Sequence, residues 1–249
     1  MSGHSKWSTI KRKKGALDAK RSKMFSKLSK EITVAAKMGG GDIDSNARLR
    51  LAVQNAKGQN MSKDVIERAI NKASKDTSQF EEMTFEGYGP GGIAIFVECL
   101  SDNNNRTVGN VRAAFTKNNG HLGTNGSVAY LFETKGIFII PVTENIDLEE
   151  FELEMIDAGA EDFEENEGIL EVTTALEDFG NVSKKLEELG IDAESQSLQR
   201  IPNTTNPLDV DESKKVLKLV ERLEEDDDVQ NVYHNLEFTP ELEAALQEE

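Results

Sequence analysis

The chain has 249 residues, of which 37% are hydrophobic and 30% charged, and its formal net charge is −17. This length predicts two or three domains. The sequence has no apolar run of about 20 residues, and no apolar stretch follows its first charges, so neither a transmembrane helix nor a secretory signal is expected. The single cysteine, Cys99, allows no intramolecular disulfide, and its apolar surroundings predict a buried thiol. Together these features predict a cytoplasmic protein.

The charge is divided unevenly along the chain. Residues 1–75 hold 18 Lys and Arg against 6 Asp and Glu, a net charge of +12. Residues 76–249 hold 11 against 40, a net charge of −29. Because the local field decides where a polyanion binds, the basic first quarter indicates contact with nucleic acid. A chance excess of solvated lysines is the alternative interpretation.

The first quarter predicts a basic arm and then a small helical domain. Residues 1–17 are polar and basic, which predicts an arm that is extended or disordered when free. A helix is predicted from Asp18 to about Met38, because apolar residues form one stripe and lysines cluster opposite it. The stripe contains Phe25, Leu28, Ile32, Ala35 and Ala36, and the lysines are Lys20, Lys23, Lys27, Lys30 and Lys37.

Two shorter helices are predicted next. Asp44 or Ser45 is expected to cap the first, which ends near Gly58, and Ser62 is expected to cap the second. The connector is short enough for a helix-turn-helix that binds DNA. However, Asp64 and Glu67 lie at the start of the second helix, where a recognition helix meets bases and phosphates. Those two carboxylates argue against base readout by this pair.

Beyond residue 78 the pattern alternates between strands and helices, which predicts the α+β class. The turn-rich segment Gly87–Gly92 precedes a strand at Ile93–Leu100, and Thr107 is expected to cap the following helix. The other predicted elements are strands at Ser127–Phe132 and Gly136–Pro141, helix Asp147–Ala158, strand Ile169–Thr173, helix Phe179–Leu189, strand Ala193–Ile201, helix Asp211–Glu224 and strand Val229–Phe238.

The order of these elements predicts nested domains. Residues 133–205 read strand–helix–strand–helix–strand and are sufficient for a compact domain. Residues 79–132 and 206–242 are each incomplete alone, so residues 133–205 are expected to be inserted between them. The remaining predicted segments are the basic arm at 1–17, the helical nucleic-acid-binding domain at 18–78 and a frayed acidic tail at 243–249.

No motif for catalysis or metal binding is present. The chain lacks G-x-x-x-x-G-K-[ST], G-x-S-x-G and H-E-x-x-H, and its histidines, His4, His121 and His234, lack metal-ligand spacing. Gly87–Gly92 precedes a strand rather than opening a helix, which predicts a turn and not a phosphate loop. The cluster Glu161–Glu167 lacks calcium-loop spacing. No enzyme, cofactor or metal is therefore expected; a metal-dependent enzyme and a protein-interaction module are the rival interpretations.

The basic arm and the lysine side of the first helix are the candidate nucleic-acid site. Lysine outnumbers arginine by eight to two in the first 30 residues, which favours recognition of backbone or shape over base readout. Trp7 is expected either to stack on an unpaired base or to anchor the arm to the helical domain. The candidate residues are His4, Ser5, Lys6, Trp7, Lys11, Arg12, Lys13, Lys14, Lys20, Arg21, Lys23, Lys27 and Lys30.

Several motifs along the chain resemble those of one family. They are Gly3–Trp7 with its following basic residues, Asn60–Asp64, Glu86–Gly92, Asp102–Thr107, Gly120–Gly123 with Gly126–Val128, and Asp226–Gln230. Together they resemble the YebC/PmpR family of gene-expression regulators, which includes the mitochondrial translational activator of cytochrome oxidase subunit one.

This resemblance implies an N-terminal helical domain followed by two α+β domains, the third ferredoxin-like and inserted into the second. It also implies a non-enzymatic regulator with no membrane and no small-molecule substrate as partner. Some members are named transcriptional regulators that bind DNA. Others resemble translation factors that bind ribosomal RNA on the ribosome and relieve stalling at consecutive prolines. The implied partner is therefore nucleic acid, either DNA or the RNA of the ribosome.

Overall fold

The computed structural model describes residues 17–75, 77, 79–143, 147–166 and 168–247, and for residues 17–20 it describes the backbone only. Internal contacts divide the chain into two compact units. One unit joins residues 77–133 to residues 201–247 and includes α1 up to Lys23. The other joins residues 24–75 to residues 134–200. Among the residues described, no helix has the length and apolar character needed to cross a membrane.

The helices in chain order are α1 (Leu17–Gly39), α2 (Ala47–Gly58), α3 (Lys63–Lys72), α4 (Asn104–Lys117), α5 (Leu148–Asp157), α6 (Phe179–Leu189), α7 (Val210–Glu224) and α8 (Pro240–Gln247). The strands are β1 (Glu81–Tyr88), β2 (Ala94–Ser101), β3 (His121–Leu122), β4 (Phe132–Pro141), β5 (Ala160–Asn166), β6 (Ile169–Ala175), β7 (Ser195–Pro202) and β8 (Val229–His234). This mixture of helices and sheets confirms the predicted α+β class.

Helices α1, α2 and α3 share one apolar core. The predicted stripe of α1 packs into this core, with Ile32, Ala35 and Ala36 buried. Leu49 and Val53 of α2 and Ile66 of α3 pack against them. The three predicted helices are therefore confirmed, and burial of the stripe leaves the lysine side of α1 facing away from the core.

Asn46 fixes the turn between α1 and α2. Its Oδ1 accepts a hydrogen bond from the backbone N–H of Leu49 at 3.1 Å and so caps α2. The predicted cap at Asp44 or Ser45 is wrong, because the next residue, the buried Asn46, occupies the cap position. Its Nδ2 donates to the carbonyl oxygens of Ala35 and Gly40, each at 2.8 Å. One amide thus satisfies the end of α1 and the start of α2.

The first sheet has the strand order β3-β1-β2-β8, and its pairs are antiparallel. Helices α4, α7 and α8 pack on one face through a core that includes Phe115, Leu219 and Leu242. Cys99 is buried in this core, as predicted. On the other face, Phe96 and Tyr233 form a smaller apolar cluster with residues of the segment 128–132.

Several predictions in this unit are wrong. Thr107 does not cap α4; the helix begins after Asn103, whose Oδ1 accepts from the backbone N–H of Arg106 at 3.1 Å. Residues 127–132 are not a strand, because Ala129–Leu131 is a 3₁₀ turn and β4 begins only at Phe132. Residues 240–247 are not frayed, since Leu242 and Leu246 lie one helical turn apart and are both buried.

Asp228 ties the start of α4 to the loop before β8. Its carboxylate is 3% exposed and accepts hydrogen bonds from Nε of Arg106 at 2.9 Å and Nη2 at 2.8 Å. The hydroxyl of Thr107, which is buried in the helix, donates to the same carboxylate at 2.9 Å. The hydrogen bond with Asp228, and then that with Asp102, raises the pKa of Arg106 above its ordinary value. Two of the motifs found in the sequence therefore meet at one ion pair, in which Asp228 is buried and Arg106 is partly exposed to solvent.

The second sheet has the strand order β5-β6-β4-β7. Its elements run β4–α5–β5–β6–α6–β7, which is the ferredoxin-like order, and α5 and α6 pack on it through Phe151, Met155 and Val182. The sequence prediction missed β5, because its acidic residues hide a strand in which Phe163 packs toward the core. All four strands lie between β3 and β8 in the chain. The domain bounds given above stay predictions.

Within the second unit, the end of α2 packs on β7. The side-chain amide of Asn55 donates to the carbonyl oxygen of Gln196 at 2.9 Å and accepts from its backbone N–H at 2.8 Å. This pair of bonds imitates a neighbouring strand at that point of β7. A Cβ on Gly58 would lie 2.1 Å from the carbonyl oxygen of Glu194. The close approach of α2 to this backbone therefore requires glycine.

Replacing Asn46 by alanine should lower the free energy of unfolding by about 2–4 kcal/mol, because α2 loses its cap, and the buried carbonyl of Ala35 and the partly buried carbonyl of Gly40 lose a donor. Asn46→Asp keeps the cap but cannot donate, so it should lie between Asn46→Ala and the wild type. The exposed Ser45→Ala is the control and should change stability by less than about 0.5 kcal/mol. Urea unfolding followed by circular dichroism measures all three; equal decreases for Ser45→Ala and Asn46→Ala would contradict the assignment.

A second pair of variants tests the packing of α2 on β7. Gly58→Ala should destabilise by about 1–3 kcal/mol, because the new methyl group overlaps a backbone carbonyl. Gly180→Ala is the matched control, since a Cβ there meets nothing within 4 Å, and removing a helical glycine stabilises by roughly 0.5–1 kcal/mol. Thermal unfolding should give opposite shifts of the midpoint for the two variants; shifts of the same sign would refute the close approach.

Candidate nucleic-acid interface

Most of the predicted site lies outside the described residues. This holds for His4, Ser5, Lys6, Trp7, Lys11, Arg12, Lys13 and Lys14, and for Lys20 only the helical backbone is described. The two alternatives for Trp7, stacking on a base or anchoring the arm, therefore both stay predictions. Among the predicted site residues, side chains are described from Arg21 onward.

Four predicted residues lie on the described part of α1. Arg21 is exposed, and Lys23, Lys27 and Lys30 are half-buried. At 100° per residue the three lysines fall within one quarter of the helix surface, opposite the buried Ile32. The ammonium group of Lys23 donates to the backbone carbonyl of Glu225, which belongs to the same unit as Lys23. The structure thus places Lys23, Lys27 and Lys30 on one side of α1.

The lysine side of α1 also carries a carboxylate that the sequence analysis missed. Glu31 follows Lys27 by four residues, so the two side chains are neighbours on the helix surface. Glu31 is half-buried, as Lys27 is. A carboxylate here reduces the local positive field that a phosphate backbone would meet. The four-residue spacing of Lys27 and Glu31 in the sequence is the signal that could have identified this carboxylate.

Three basic residues of α2 and α3 are close to acceptors in their own helices or turns. The guanidinium of Arg50 donates to the carbonyl oxygen of Asp44, and Nε of Arg68 donates to that of Asp64 at 3.0 Å. Nζ of Lys63 lies 3.7 Å from a carboxylate oxygen of Glu67. Asp64 and Glu67 are themselves exposed in the first half of α3. This end of α3 consequently presents carboxylates, which a phosphate backbone repels.

The acidic cluster does not converge on one point. Residues 161–166 lie in β5, where successive side chains point to opposite faces of the sheet. Glu161 lies 2.9 Å from Nζ of Lys135, and Glu167 is outside the described residues. Within the described ranges, no group of three His, Cys, Asp or Glu side chains is arranged to hold a metal ion.

The two described histidines have separate surroundings. His121 is exposed and packs against the ring of Tyr88, with 5.5 Å between ring centroids. His234 is buried, and its Nδ1 accepts from the backbone N–H of Leu236 at 3.2 Å. Each histidine therefore has a local structural contact of its own.

Two family models match the chain. One, described as the N-terminal domain of the TACO1/YebC protein, matches residues 5–76. The other, described as the second and third domain of TACO1/YebC, matches residues 80–236. The two matches meet at the polar segment between α3 and β1, where the helical part of the chain ends.

Similar proteins cover nearly the whole chain. A probable transcriptional regulatory protein of Geobacillus kaustophilus is 52% identical over 240 residues, with 95% of this chain and 98% of that protein covered. One of Clostridium tetani is 48% identical over 245 residues, with 98% and 100% covered. The crystal structure of a conserved hypothetical protein from Aquifex aeolicus has a TM-score of 0.79 and 43% identity, and covers 89% of this chain and 92% of that one.

Proposed function

This chain belongs to the TACO1/YebC family, and on that basis we propose that it regulates gene expression by binding nucleic acid, without a catalytic step of its own. Its relatives with about half of their residues in common are named probable transcriptional regulatory proteins. Regulation is therefore the role that the comparisons support for this chain, and binding of nucleic acid is the physical step that we add.

The observation that carries the proposal is the separation of charge. A net charge of +12 in residues 1–75 stands against −29 in the rest of the chain. Cations on one surface displace counterions from a phosphate backbone, and the resulting free energy depends little on base sequence. The acidic remainder repels the same backbone, so electrostatic attraction favours binding at the basic first quarter. The contact surface is the arm at residues 1–17 together with Lys23, Lys27 and Lys30 of α1.

DNA at promoters is the first candidate target, because the names of the relatives refer to transcription. On such a target the lysines contact phosphates and hold the protein on the duplex. Lysine contacts of this kind carry no sequence information by themselves. A specific promoter would then require a further source of base recognition.

Ribosomal RNA is the second candidate target, and the first turn of α3 favours it. Asp64 is exposed at that end of α3, and Glu67 is exposed three residues further along, where a recognition helix needs donors and cations. The excess of lysine over arginine also suits backbone and shape recognition. On this target the protein acts as a translation factor at the ribosome and relieves stalling at sequences such as consecutive prolines.

The charge argument predicts how binding depends on salt. Lys27→Gln with Lys30→Gln should weaken binding and flatten the plot of log affinity against log salt, by roughly 0.7–0.9 for each phosphate that is no longer neutralised. Deleting residues 1–17 should flatten the plot further. Glu31→Gln is the matched variant, because it removes a negative charge from the same side of α1, and it should strengthen binding. Fluorescence anisotropy with labelled RNA and DNA measures these slopes; slopes that all equal the wild-type slope would exclude this surface.

The choice between the two targets has its own experiment. Native protein is sedimented through sucrose with ribosomes from the same cells, and chromatin from a parallel culture is tested for recovery of promoter fragments. Enrichment of specific promoters without cosedimentation supports the first target, and salt-sensitive cosedimentation without promoter enrichment supports the second. The variant Lys27→Gln with Lys30→Gln serves as control in both experiments. If this variant is absent from the bound fraction, the binding depends on the lysines of α1.

A further inference from the structure

The acidic part of the chain contains a long stretch without any carboxylate side chain. Residues 103–132 hold no Asp or Glu, although residues 76–249 hold 40. The stretch carries Arg106, Arg112 and Lys117, so its formal charge is +3. These three cations all lie on α4, which packs on the face of the first sheet opposite the segment 128–132, and Arg106 is paired with Asp102 and Asp228. What residues 118–132 contribute is therefore the absence of carboxylates and not a positive charge. Residues 195–208 form a second stretch without Asp or Glu. These two stretches interrupt the negative charge that otherwise excludes a polyanion from this part of the chain.

The structure joins the first stretch to the end of the second, residues 201–208, which belongs to the same unit. The backbone N–H of Asn203 donates to the carbonyl oxygen of Leu131 at 2.8 Å. Its side-chain amide donates to the carbonyl oxygen of Tyr130 at 3.3 Å. Asn203, Thr204 and Thr205 are exposed beside this contact. The polar segment 203–205 therefore borders Tyr130.

A buried carboxylate holds the segment around Tyr130 in place. Glu86 is 5% exposed and accepts hydrogen bonds from the backbone N–H groups of Gly126 at 2.6 Å, Val128 at 2.7 Å and Ala129 at 2.9 Å. Val128 is also buried in the apolar cluster on this face of the first sheet. A segment fixed by three charge-assisted hydrogen bonds and an apolar anchor presents its side chains in one geometry.

The segment that Glu86 holds in place carries an exposed aromatic ring and contacts another. Tyr130 follows the last of these N–H groups and is 69% exposed. On the other side of the segment, exposed His121 packs on Tyr88, whose hydroxyl donates to the carbonyl oxygen of Ser127 at 2.9 Å. Thr124 and Asn125 are exposed between them along the chain. The result is a rigid surface with an exposed aromatic ring, hydroxyls and amides.

The surroundings of Tyr130 fit a base better than a protein partner. The other large apolar side chains that are exposed in the described part of the chain, such as Met38, Leu153 and Leu198, belong to the second unit. Tyr130 therefore does not extend a larger apolar patch of its own unit, as docking of a protein normally requires. A single exposed ring with polar neighbours is typical of surfaces on which an unpaired base stacks.

We propose that the surface formed by His121, Thr124–Gly126, Tyr130 and Asn203, the Tyr130 surface, binds single-stranded RNA. An unpaired base stacks on the ring of Tyr130, and the amide and hydroxyl groups of its neighbours bond to base edges and ribose hydroxyls. This site lies outside the basic first quarter and goes beyond the function proposed above. Bases in a duplex are already stacked on each other, so the Tyr130 surface selects unpaired nucleotides.

The test uses the full chain and a fluorescently labelled 12-nucleotide RNA, offered as a single strand or annealed to its complement. Tyr130→Ala should weaken binding of the single strand by about 5- to 160-fold, the range found when one stacked base loses its aromatic partner. Tyr130→Phe keeps the ring and should bind within about 2-fold of the wild type. Leu153→Ala, which removes an equally exposed apolar side chain from α5, is the matched control and should leave affinity unchanged.

Salt dependence separates this site from the basic first quarter. Tyr130→Ala should shift the plot of log affinity against log salt without changing its slope, because stacking releases no counterions, whereas Lys27→Gln with Lys30→Gln should change the slope. The proposal fails if Tyr130→Ala binds the single strand as the wild type does, or if the variant weakens duplex and single strand equally. Melting curves of the three variants show that weaker binding does not come from unfolding.

Discussion

Repulsion between like charges is the constraint on which the other features of this protein depend. A chain with 46 acidic and 29 basic residues cannot bring its whole surface against a polyanion, because each uncompensated carboxylate near a phosphate opposes binding. In the function that we propose, contact with nucleic acid is restricted to places where acids are absent or outnumbered. The first 75 residues are one such place, and the stretches 103–132 and 195–208 are others. The distribution of carboxylates thus limits the surfaces that the fold can use.

Some of the carboxylates stabilise those surfaces from inside the fold. Glu86 and Asp228 are both almost fully buried, and each is surrounded by donors: three backbone N–H groups for Glu86, and the Arg106 guanidinium with the Thr107 hydroxyl for Asp228. Buried charges are tolerated only when they are paired or hydrogen-bonded in this way. Glu86 fixes the segment that carries Tyr130, while Asp228 fixes the start of α4. An acidic composition is therefore compatible with a rigid frame.

The two proposed surfaces differ in what they would recognise. In the function that we propose, lysines of α1 act as point charges that follow a phosphate backbone, and Glu31 moderates their field. The Tyr130 surface offers a ring and neutral hydrogen-bonding groups, which recognise an unpaired base rather than a backbone. A nucleic acid with both features, a folded backbone and accessible single-stranded nucleotides, would engage both. RNA of the ribosome has these features, which connects the structural argument to the second of the two proposed targets.

The sequence by itself determined the charge separation, the three N-terminal helices, the buried Cys99 and the family, because these depend on composition, on the 3.6-residue period and on linear motifs. It did not determine β5, because the acidic residues of this segment are untypical of a strand and the strand is stabilised by pairing with β6. It did not determine α8 either, because this helix is stabilised by the packing of Leu242 and Leu246 into the core. The same holds for the site. The row Lys23, Lys27 and Lys30 follows from helical spacing alone. The turn fixed by Asn46 and the frame around Tyr130 depend instead on partners 11 residues away at Ala35 and about 40 residues away at Glu86. Such contacts form only when the chain is folded, so tertiary structure decided them.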